Sequence, residues 1–151
     1  MITDAVVMNM GSTDASGYFT VTAGTKTDRV RQVEVFVAGA GNDILEGSSA
    51  ADVIYGGNGN DQLTGYGGND TLEGGGGIDW VNYGYTSAGL TLDLSTLTGG
   101  YALAMLGGGE TDRLRDIEEV TGSQGNDVLT GNSGYNWMNG EAGSDSISGL
   151  G

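Results

Sequence analysis

A nine-residue period runs through most of this chain and constrains its fold more than any other feature. Residues 38–82 can be written as five consecutive nonapeptides and residues 122–148 as three more. A typical member is GGNGNDQLT, with glycine in the first positions, an acidic residue at the sixth and an aliphatic residue at the eighth. Periodic glycine combined with periodic aliphatic residues predicts an ordered solenoid rather than a disordered glycine-rich segment.

The sixth and eighth positions of the repeats carry different predictions. The sixth positions are Asp43, Asp52, Asp61, Asp70, Asp79, Asp127, Asn136 and Asp145. The eighth positions are Leu45, Ile54, Leu63, Leu72, Val81, Leu129, Met138 and Ile147. Side chains alternate between faces along a strand, so the eighth residue is predicted to point inward. The seventh and ninth, such as Gln62 with Thr64 or Thr71 with Glu73, are predicted to face water. Six turn residues and three strand residues make half a coil, so eighteen residues complete one rung of a two-sided roll.

The composition excludes several classes of site and partner. The chain has 31 glycines, no proline, no cysteine, no histidine and a net charge of −15. Without histidine it can build neither a Ser-His-Asp triad nor a histidine zinc site. Without cysteine it has no disulfide to compensate for a small core. The acidic excess argues against nucleic acid as a partner, and no stretch is long and apolar enough for membrane insertion.

The regular aspartates favour calcium as the ion that stabilises the turns. Turns on one edge of a parallel roll recur at about 4.8 Å, and carboxylates at that spacing repel by roughly 1 kcal/mol per pair even in water. A divalent cation between the turns removes this repulsion and ties neighbouring rungs together. Calcium accepts a flexible shell of carboxylate and carbonyl oxygens, whereas magnesium demands stricter geometry and retains its water.

The repeats resemble the RTX, or hemolysin-type, calcium-binding nonapeptide. This resemblance implies an all-β fold, a right-handed parallel β-roll, with each ion held between one turn and the turn two repeats later. The implied aspartate pairs are Asp43 with Asp61, Asp61 with Asp79, Asp52 with Asp70, and Asp127 with Asp145. It also implies main-chain carbonyl ligands, with Gly39 and Gly41 facing Gly56 and Asn58, and further donors at Gly57, Gly59, Gly65, Gly67, Gly74, Gly76, Gly125, Gly140 and Ala142.

Two repeats depart from the family pattern. Ser48 and Ala50 stand where glycines are usual, and Asn136 replaces aspartate in the seventh repeat. The Asn136 side chain still offers a neutral oxygen, so weak calcium binding is expected at that turn.

In addition to the nonapeptides, the sequence contains a longer duplicated segment. The 21 residues from Thr27 align without gaps on those from Thr111, at an offset of 84. In this register Glu34 and Glu118 take the sixth position, and Phe36 and Val120 take the eighth. The roll is therefore predicted to begin half a coil before its glycine-rich turns. All five basic residues lie in or beside the two copies, either as a binding patch or, as we favour, paired with neighbouring acids such as Asp28, Glu34, Asp116 and Glu118.

Four regions follow from these patterns. Residues 1–37 form an N-terminal capping β segment, 38–82 the first repeat block, 83–121 a β insert that rejoins the roll, and 122–151 the second block with the start of a fourth nonapeptide. Within the insert, the alternation of Leu90, Leu92 and Leu94 predicts one or two longer β rungs, and no helix is predicted anywhere. The final Gly149-Leu150-Gly151 look like the start of another repeat, so a longer protein is expected.

The functional expectation is a calcium-binding module that folds outside the cell. The family implies extracellular localisation and type I secretion of a larger bacterial parent protein, although no secretory leader is seen at the N-terminus. No intrinsic enzyme is expected, since the regular aspartates are already explained as ligands. Two alternatives stay open: a carbohydrate-targeting module of a polysaccharide-modifying enzyme, and an adhesin or surface-layer spacer. For the first, a sugar-stacking surface is conceivable at Trp80, Tyr83, Tyr85, Tyr135 and Trp137, although packing at the edge of the insert explains these rings better.

Overall fold

The computed structural model describes residues 6–9, 19–23, 26–30 and 34–150 and shows only strands and turns there. No helix in these residues is long and apolar enough to cross a membrane. The strands are β1 (Val6–Asn9), β2 (Phe19–Ala23), β3 (Lys26–Val30), β4 (Val35–Ala40), β5 (Ile44–Glu46), β6 (Val53–Asn58), β7 (Gln62–Thr64), β8 (Thr71–Gly76), β9 (Trp80–Asn82), β10 (Leu90–Asp93), β11 (Ala102–Leu106), β12 (Thr111–Arg115), β13 (Glu119–Thr121), β14 (Val128–Thr130), β15 (Trp137–Asn139) and β16 (Ser146–Ser148).

Two eight-stranded sheets form the roll. The first sheet has the order β15-β13-β9-β7-β5-β1-β2-β3, and the second has the order β16-β14-β10-β11-β12-β8-β6-β4. Successive repeats alternate between the sheets, because each glycine-rich turn carries the chain from one sheet to the other. Strands two repeats apart therefore pair in parallel, as Leu45 does with Leu63 and Ile54 with Leu72. The all-β parallel β-roll predicted from the nine-residue period is confirmed.

The core lies between the sheets and consists largely of eighth-position side chains. Six of the eight are fully buried, while Met138 is half-buried and Ile147 is 47% exposed in the last rung. The prediction that ninth-position residues face water is wrong at Thr64 and Glu73, which are 1% and 7% exposed. Glu73 is covered because Tyr101 and Arg115, both from the insert, contact its carboxylate.

The insert differs from the one or two longer rungs expected. Strands β10, β11 and β12 form an antiparallel meander in the second sheet, joined in parallel to β14 on one side and β8 on the other. At this level of the roll, the first sheet continues without an added meander, since β9 pairs directly with β13. The meander contributes Leu92, Ala104 and Leu114 to the core, each at most 1% exposed.

The segments that enter the two repeat blocks have the same arrangement. Phe36 on β4 pairs with Ile54, and Val120 on β13 pairs with Val81 and Met138. The prediction that the roll begins half a coil before its glycine-rich turns is therefore confirmed. Ahead of β4, the described N-terminal residues form a meander in the first sheet, in which β1 pairs in parallel with β5 and β2 and β3 follow antiparallel.

Candidate metal-binding turns

The sixth-position aspartates of stacked turns form carboxylate ladders along both edges of the roll. In each step, the main-chain N–H of one aspartate donates to the Oδ1 of the aspartate eighteen residues later. The structure brings together all four predicted pairs, with N to Oδ1 distances of 2.9 Å for Asp43 to Asp61, 2.8 Å for Asp61 to Asp79, 2.9 Å for Asp52 to Asp70, and 3.0 Å for Asp127 to Asp145. These hydrogen bonds hold successive carboxylates in line.

The ladders also run through the segments that lack the nine-residue phase. The Asp70 N–H donates to Asp112 Oδ1 at 2.9 Å, and the Asp79 N–H donates to Glu118 Oε2 at 3.0 Å. Asp112, which is 1% exposed, was not among the residues predicted from the sequence because it lies outside every nonapeptide. The signal that could have found it is its alignment with Asp28 in the duplicated segment.

The second carboxylate oxygen of several aspartates is buried and has no hydrogen-bond donor among the described residues. This holds for Oδ2 of Asp61, Asp70 and Asp79. Each of these oxygens lies over the first glycine of its own turn, where a side chain would collide with it. A β-carbon on Gly56 would lie 2.3 Å from Asp61 Oδ2, and one on Gly65 would lie 2.2 Å from Asp70 Oδ2. A buried anionic oxygen without a partner is unfavourable, so these turns fit a bound cation.

Main-chain oxygens are available in the same turns. The carbonyls of Gly39 and Gly41 point at the turn eighteen residues later, because β-carbons placed on Gly57 and Gly59 would lie 2.2 and 1.9 Å from them. In the next gap, between the turns at 56–61 and 74–79, the carbonyls of Gly57 and Gly59 lie 2.1 and 1.9 Å from β-carbons placed on Gly75 and Gly77. From the other side of that gap, the Gly74 oxygen lies 2.7 Å from a β-carbon placed on Gly56. Carbonyls from both turns therefore lie between these two rungs.

The other carbonyl ligands predicted from the sequence either accept main-chain hydrogen bonds between the strands or lie at the same positions in other turns. The oxygens of Asn58 and Gly76 accept N–H groups from Gly41 and Gly59 at 2.9 and 2.8 Å. The Gly125 oxygen faces Gly143 in the next turn on its edge. Gly140 lies under the Asp145 carboxylate, and Gly67 and Ala142 are third-position residues of their turns.

The donor set suits calcium better than a transition metal. Among the described residues, no three acidic, histidine or cysteine side chains come together at one point that could hold a metal. Each candidate site combines two stacked carboxylates with main-chain carbonyls. An all-oxygen set of this kind matches the flexible coordination geometry that calcium accepts.

Burial perturbs the acidity of the ladder. It raises the pKa of Asp70 to about 7 and that of Asp79 to about 6, against an ordinary value of 3.8. The N–H from the preceding turn lowers each pKa, and neighbouring carboxylates such as Asp112 beside Asp70 and Asp61 beside Asp79 raise it again. Without a cation, these carboxylates therefore bind protons more readily than they do in an unfolded chain.

This shift predicts that acid partly replaces calcium. The folded pKa values of Asp70 and Asp79 lie above the unfolded value, so their contribution to stability is full below about pH 4 and is lost as the pH rises through 6 to 7. In chelator, the folded fraction measured by circular dichroism is expected to increase as the pH falls from 8 to 5. The Asp70→Asn variant should flatten the upper part of this profile. A wild-type profile that is level from pH 8 to 5 would contradict the prediction.

The turns fall into two conformational classes. In three of them, here called self-closed turns, a polar second residue closes the turn with its own side chain. The side-chain oxygens of Ser48, Ser123 and Asn132 accept the N–H of the fourth residue at 3.1, 3.0 and 2.7 Å. Their own N–H groups donate to the sixth-position side chain at 2.7, 2.7 and 3.0 Å. The self-closed turns are residues 47–52, 122–127 and 131–136.

The other five turns, here called open turns, lack this closure. Their fourth residue is always a glycine at positive φ: Gly41, Gly59, Gly68, Gly77 and Gly143, with φ between 115° and 144°. All three buried oxygens described above, on Asp61, Asp70 and Asp79, belong to open turns. The class therefore follows from whether the second position of the repeat is serine or asparagine. From the sequence, Ser48 was identified only as a departure, although serine and asparagine are known to close turns in this way.

Asn136 completes its self-closed turn without any ion. Its Oδ1 accepts the Asn132 N–H, and its Nδ2 donates to the carbonyls of Asn132 and Gly134 at 2.9 and 2.7 Å. These are the second-position and fourth-position carbonyls, which in the open turns point toward the next rung. The amide nitrogen thus supplies the positive partner that a cation would otherwise provide.

Replacing Asn136 by aspartate should make this turn depend on calcium. The variant places a carboxylate oxygen against two carbonyls and removes two hydrogen bonds, which is expected to destabilise the chain by about 2 kcal/mol in chelator. Saturating calcium should recover most of this loss in a thermal unfolding experiment. Ser133→Asp adds the same charge at an exposed position of the same turn and is the matched control. Equal effects of the two substitutions would contradict this role for Asn136.

Side chains of the insert bind one another, and Arg115 also binds the first block. Tyr83 is fully buried, and its hydroxyl donates to Asp112 Oδ2 at 2.8 Å. The Arg113 guanidinium lies 4.6 Å from the ring centre of Tyr101. Arg115 pairs with Glu73 of the first block and more loosely with Asp116 at 3.7 Å. The predicted pairing of arginines with acids of their own segment therefore holds for Asp116, while the main partner comes from a distant strand. The side chains of Lys26, Arg29 and Arg31 lie outside the described residues.

The aromatic residues divide between packing and exposure. Trp80 donates from Nε1 to Thr121 Oγ1 at 2.9 Å, across the pair of strands β9 and β13. The ring centres of Tyr85 and Tyr66 lie 5.0 Å apart, and the Tyr85 hydroxyl donates a hydrogen bond to the Tyr66 carbonyl. Tyr135 and Trp137, in contrast, are 56% and 45% exposed. Packing at the insert thus explains the first cluster but not the second.

Comparison with known proteins agrees with this geometry. The profile of the RTX calcium-binding nonapeptide repeat matches four copies, over residues 33–63, 46–81 and 121–151, which together span more than half of the chain. No curated protein matches the sequence significantly. The repeats, the parallel roll and the profile match lead to one conclusion: this chain belongs to the RTX calcium-binding nonapeptide repeat family.

Proposed function

We propose that this chain is a calcium-switched folding module of a larger secreted bacterial protein. It stays largely unfolded at cytosolic calcium, which suits export by type I secretion, and folds outside the cell. The observation that carries this proposal is the set of buried Oδ2 atoms of Asp61, Asp70 and Asp79, which have no hydrogen-bond donor in the described part of the chain. Folding these anions away from water is unfavourable until a cation reaches them, so folding and calcium binding are coupled.

The open turns of the first block are the proposed principal sites. Asp43, Asp61 and Asp79 would hold ions along one edge, together with carbonyls of the intervening glycines. Asp52 with Asp70, and Asp127 with Asp145, each combine a self-closed turn with an open one along the other edge. When bound, calcium supplies positive charge and links the rungs. The proposal assigns no catalytic role to the turn aspartates, because this structural role already accounts for their spacing.

A calcium titration followed by far-UV circular dichroism tests the switch. Extracellular calcium modules commonly bind in the range of about 10⁻⁴ to 10⁻³ M, so the titration should run from chelator to about 10 mM, with magnesium as control. A cooperative transition from coil to β-structure with calcium alone is expected. Asp61→Asn, which alters two steps of one ladder, should move the midpoint to higher calcium. Full β-structure with a sharp thermal transition in excess chelator would overturn the proposal.

A carbohydrate-targeting role is a second candidate, favoured by one observation. Tyr135 and Trp137 lie two residues apart in the second block and are 56% and 45% exposed. Aromatic rings presented in this way can stack on sugars, and the acidic roll could bridge an acidic polysaccharide through calcium. A glycan array with calcium present should then show binding that Trp137→Ala abolishes. Binding that persists in Trp137→Ala, or an array without hits, would reject this role.

A further inference from the structure

The carboxylate ladder at Asp79 continues into a segment that is not a nonapeptide. The Asp79 N–H donates to Glu118 Oε2 at 3.0 Å, in the same way as in the steps between repeat aspartates. Strand β13 follows directly and pairs with β9, so Val120 lies beside Val81 in the register of an ordinary rung. Asp116 and Glu118 lie outside the residues that match the RTX profile. The insert therefore supplies the far side of the gap that follows the turn at 74–79.

A main-chain oxygen of the insert takes the place of a repeat glycine oxygen in this gap. Between regular rungs, the Gly74 oxygen lies 2.7 Å from a β-carbon placed on Gly56. The Gly65 oxygen lies at the same distance from one placed on Gly47. At the insert, the Asp116 oxygen lies 2.2 Å from a β-carbon placed on Gly74. Asp116 has a φ of 53°, which is uncommon for a residue other than glycine, so the chain turns sharply at this position.

The Asp79 oxygen that faces this gap has no partner. Asp79 is 0% exposed, and its Oδ2 accepts no hydrogen bond from the described part of the chain. A β-carbon placed on Gly74 would lie 2.5 Å from this oxygen, so Asp79 Oδ2 and the Asp116 oxygen approach one point above Gly74. Two oxygens without a donor between them, one of them a buried anion, are unfavourable unless a cation joins them.

No basic side chain among the described residues offsets this charge. Arg113 and Arg115 are the nearest in sequence, but Arg113 lies over an aromatic ring. Arg115 pairs with Glu73 and, at 3.7 Å, with the Asp116 side chain, which is 53% exposed. The gap therefore contains two carboxylates and a carbonyl oxygen without a positive group from the described residues.

We propose that a calcium ion binds in this gap, held by the carboxylates of Asp79 and Glu118 and by the main-chain oxygen of Asp116. These ligands are all oxygens, and calcium accepts carboxylates, carbonyls and water together in a flexible shell. The site differs from those between nonapeptides because it joins the first repeat block to the insert. This inference rests on the proposed function, since the gap forms only when the roll folds.

The proposed site links the two repeat blocks along one edge of the roll. The next turn on this edge, residues 131–136, is self-closed and is completed by Asn136. The link between the blocks therefore depends on the gap before it. The N–H groups of Glu118 and Glu119 report on this gap, because both donate to the Asp79 carbonyl, at 3.1 and 2.9 Å.

Glu118→Gln tests the site, because it removes the charge but keeps an oxygen that can accept the Asp79 N–H. Loss of one of two carboxylates is expected to weaken calcium binding in this gap at least about tenfold. Equilibrium dialysis, at the lowest calcium concentration that saturates wild type, should then show about one bound ion fewer per chain. Amide hydrogen exchange at residues 118 and 119 should become faster in the same samples.

Two control variants separate the site from general charge effects. Glu119→Gln removes the same charge from the next residue, whose side chain accepts the Tyr135 hydroxyl at 3.2 Å and points away from the buried Val120. Asp116→Asn alters a side chain that is not proposed as a ligand. Both variants should bind as many ions as wild type and exchange their amides at the same rate.

The possible outcomes distinguish this inference from the calcium switch itself. A wild-type ion count in folded Glu118→Gln would overturn the inference and leave the switch intact. A wild-type chain that neither folds nor binds calcium would overturn both. Should Glu118→Gln fail to fold in calcium by circular dichroism, Glu118→Lys places an ammonium group in the gap instead of the ion. A folded chain with the same reduced ion count is then expected, and a full count would contradict the site.

Discussion

Replacing Gly59 by alanine is expected to prevent two neighbouring turns of the first repeat block from stacking. Gly59 is the fourth residue of an open turn, with φ at +131°, and a β-carbon there would lie 1.9 Å from the carbonyl oxygen of Gly41. Both the backbone conformation and the stacking distance exclude a side chain. The left-handed backbone alone costs about 1–2 kcal/mol, and the collision with a rigid main-chain atom adds to it. We expect a loss on the order of 3 kcal/mol or more, measured by thermal unfolding in saturating calcium.

The matched control is a glycine without these constraints. Gly108 lies in the turn between β11 and β12, has no atom within 4 Å of a β-carbon placed on it, and has no positive φ. Gly108→Ala should therefore leave the melting temperature in calcium close to that of wild type. If Gly59→Ala melted like Gly108→Ala, the rungs could not be stacked as closely as the structure shows.

Truncating Leu63 to alanine should have the second large effect. Leu63 is fully buried on β7, between Leu45 of β5 and Val81 of β9 in the first sheet. Each half-coil of the repeat blocks contributes one eighth-position side chain to the core, so removing that of Leu63 leaves a cavity. Truncations of this kind typically lower the free energy of unfolding by about 2–5 kcal/mol. The expected result is a lower melting temperature and, because folding and binding are coupled, a higher calcium midpoint.

Val128→Ala is the corresponding control for Leu63→Ala. Val128 is also a strand aliphatic residue, but it lies at a seventh position on β14 and is 49% exposed. Its truncation should change stability by no more than about 0.5 kcal/mol. Similar effects at Leu63 and Val128 would mean that the roll interior is not packed in the register described.

The local pattern was sufficient to predict the regular part of the roll. A single period located the turns and the inward-facing side chains, and together with the family resemblance it predicted the pairing of Asp61 with Asp79, eighteen residues away. The duplicated segment likewise predicted that Phe36 and Val120 take the eighth position of their half-coils. These predictions succeed because each half-coil contacts mainly the half-coils immediately before and after it in its own sheet, so that sequence spacing translates directly into spatial neighbours.

Features that depend on contacts between distant segments were not predictable in this way. Nothing in the alternation of Leu90 and Leu92 distinguishes a longer parallel rung from an antiparallel strand, because both have the same two-residue side-chain period. The burial of Glu73 depends on Tyr101 and Arg115, which approach it only once the meander has joined β8. The role of Asp112 depends on the same junction.

The division into self-closed and open turns is only partly predictable from the local sequence. A serine or asparagine at the second position is visible in the sequence, but its consequence depends on where the N–H groups and carbonyls of one turn point. The sequence by itself determined the parallel roll and the all-oxygen turns, since a nine-residue spacing places the eighth position of each half-coil on the inner face and an oxygen-bearing side chain at the sixth position of each turn. Only the tertiary structure decided how the insert joins the sheets and how Asp112 and Glu118 extend the carboxylate ladders, because these follow from hydrogen bonds between strands far apart in the chain.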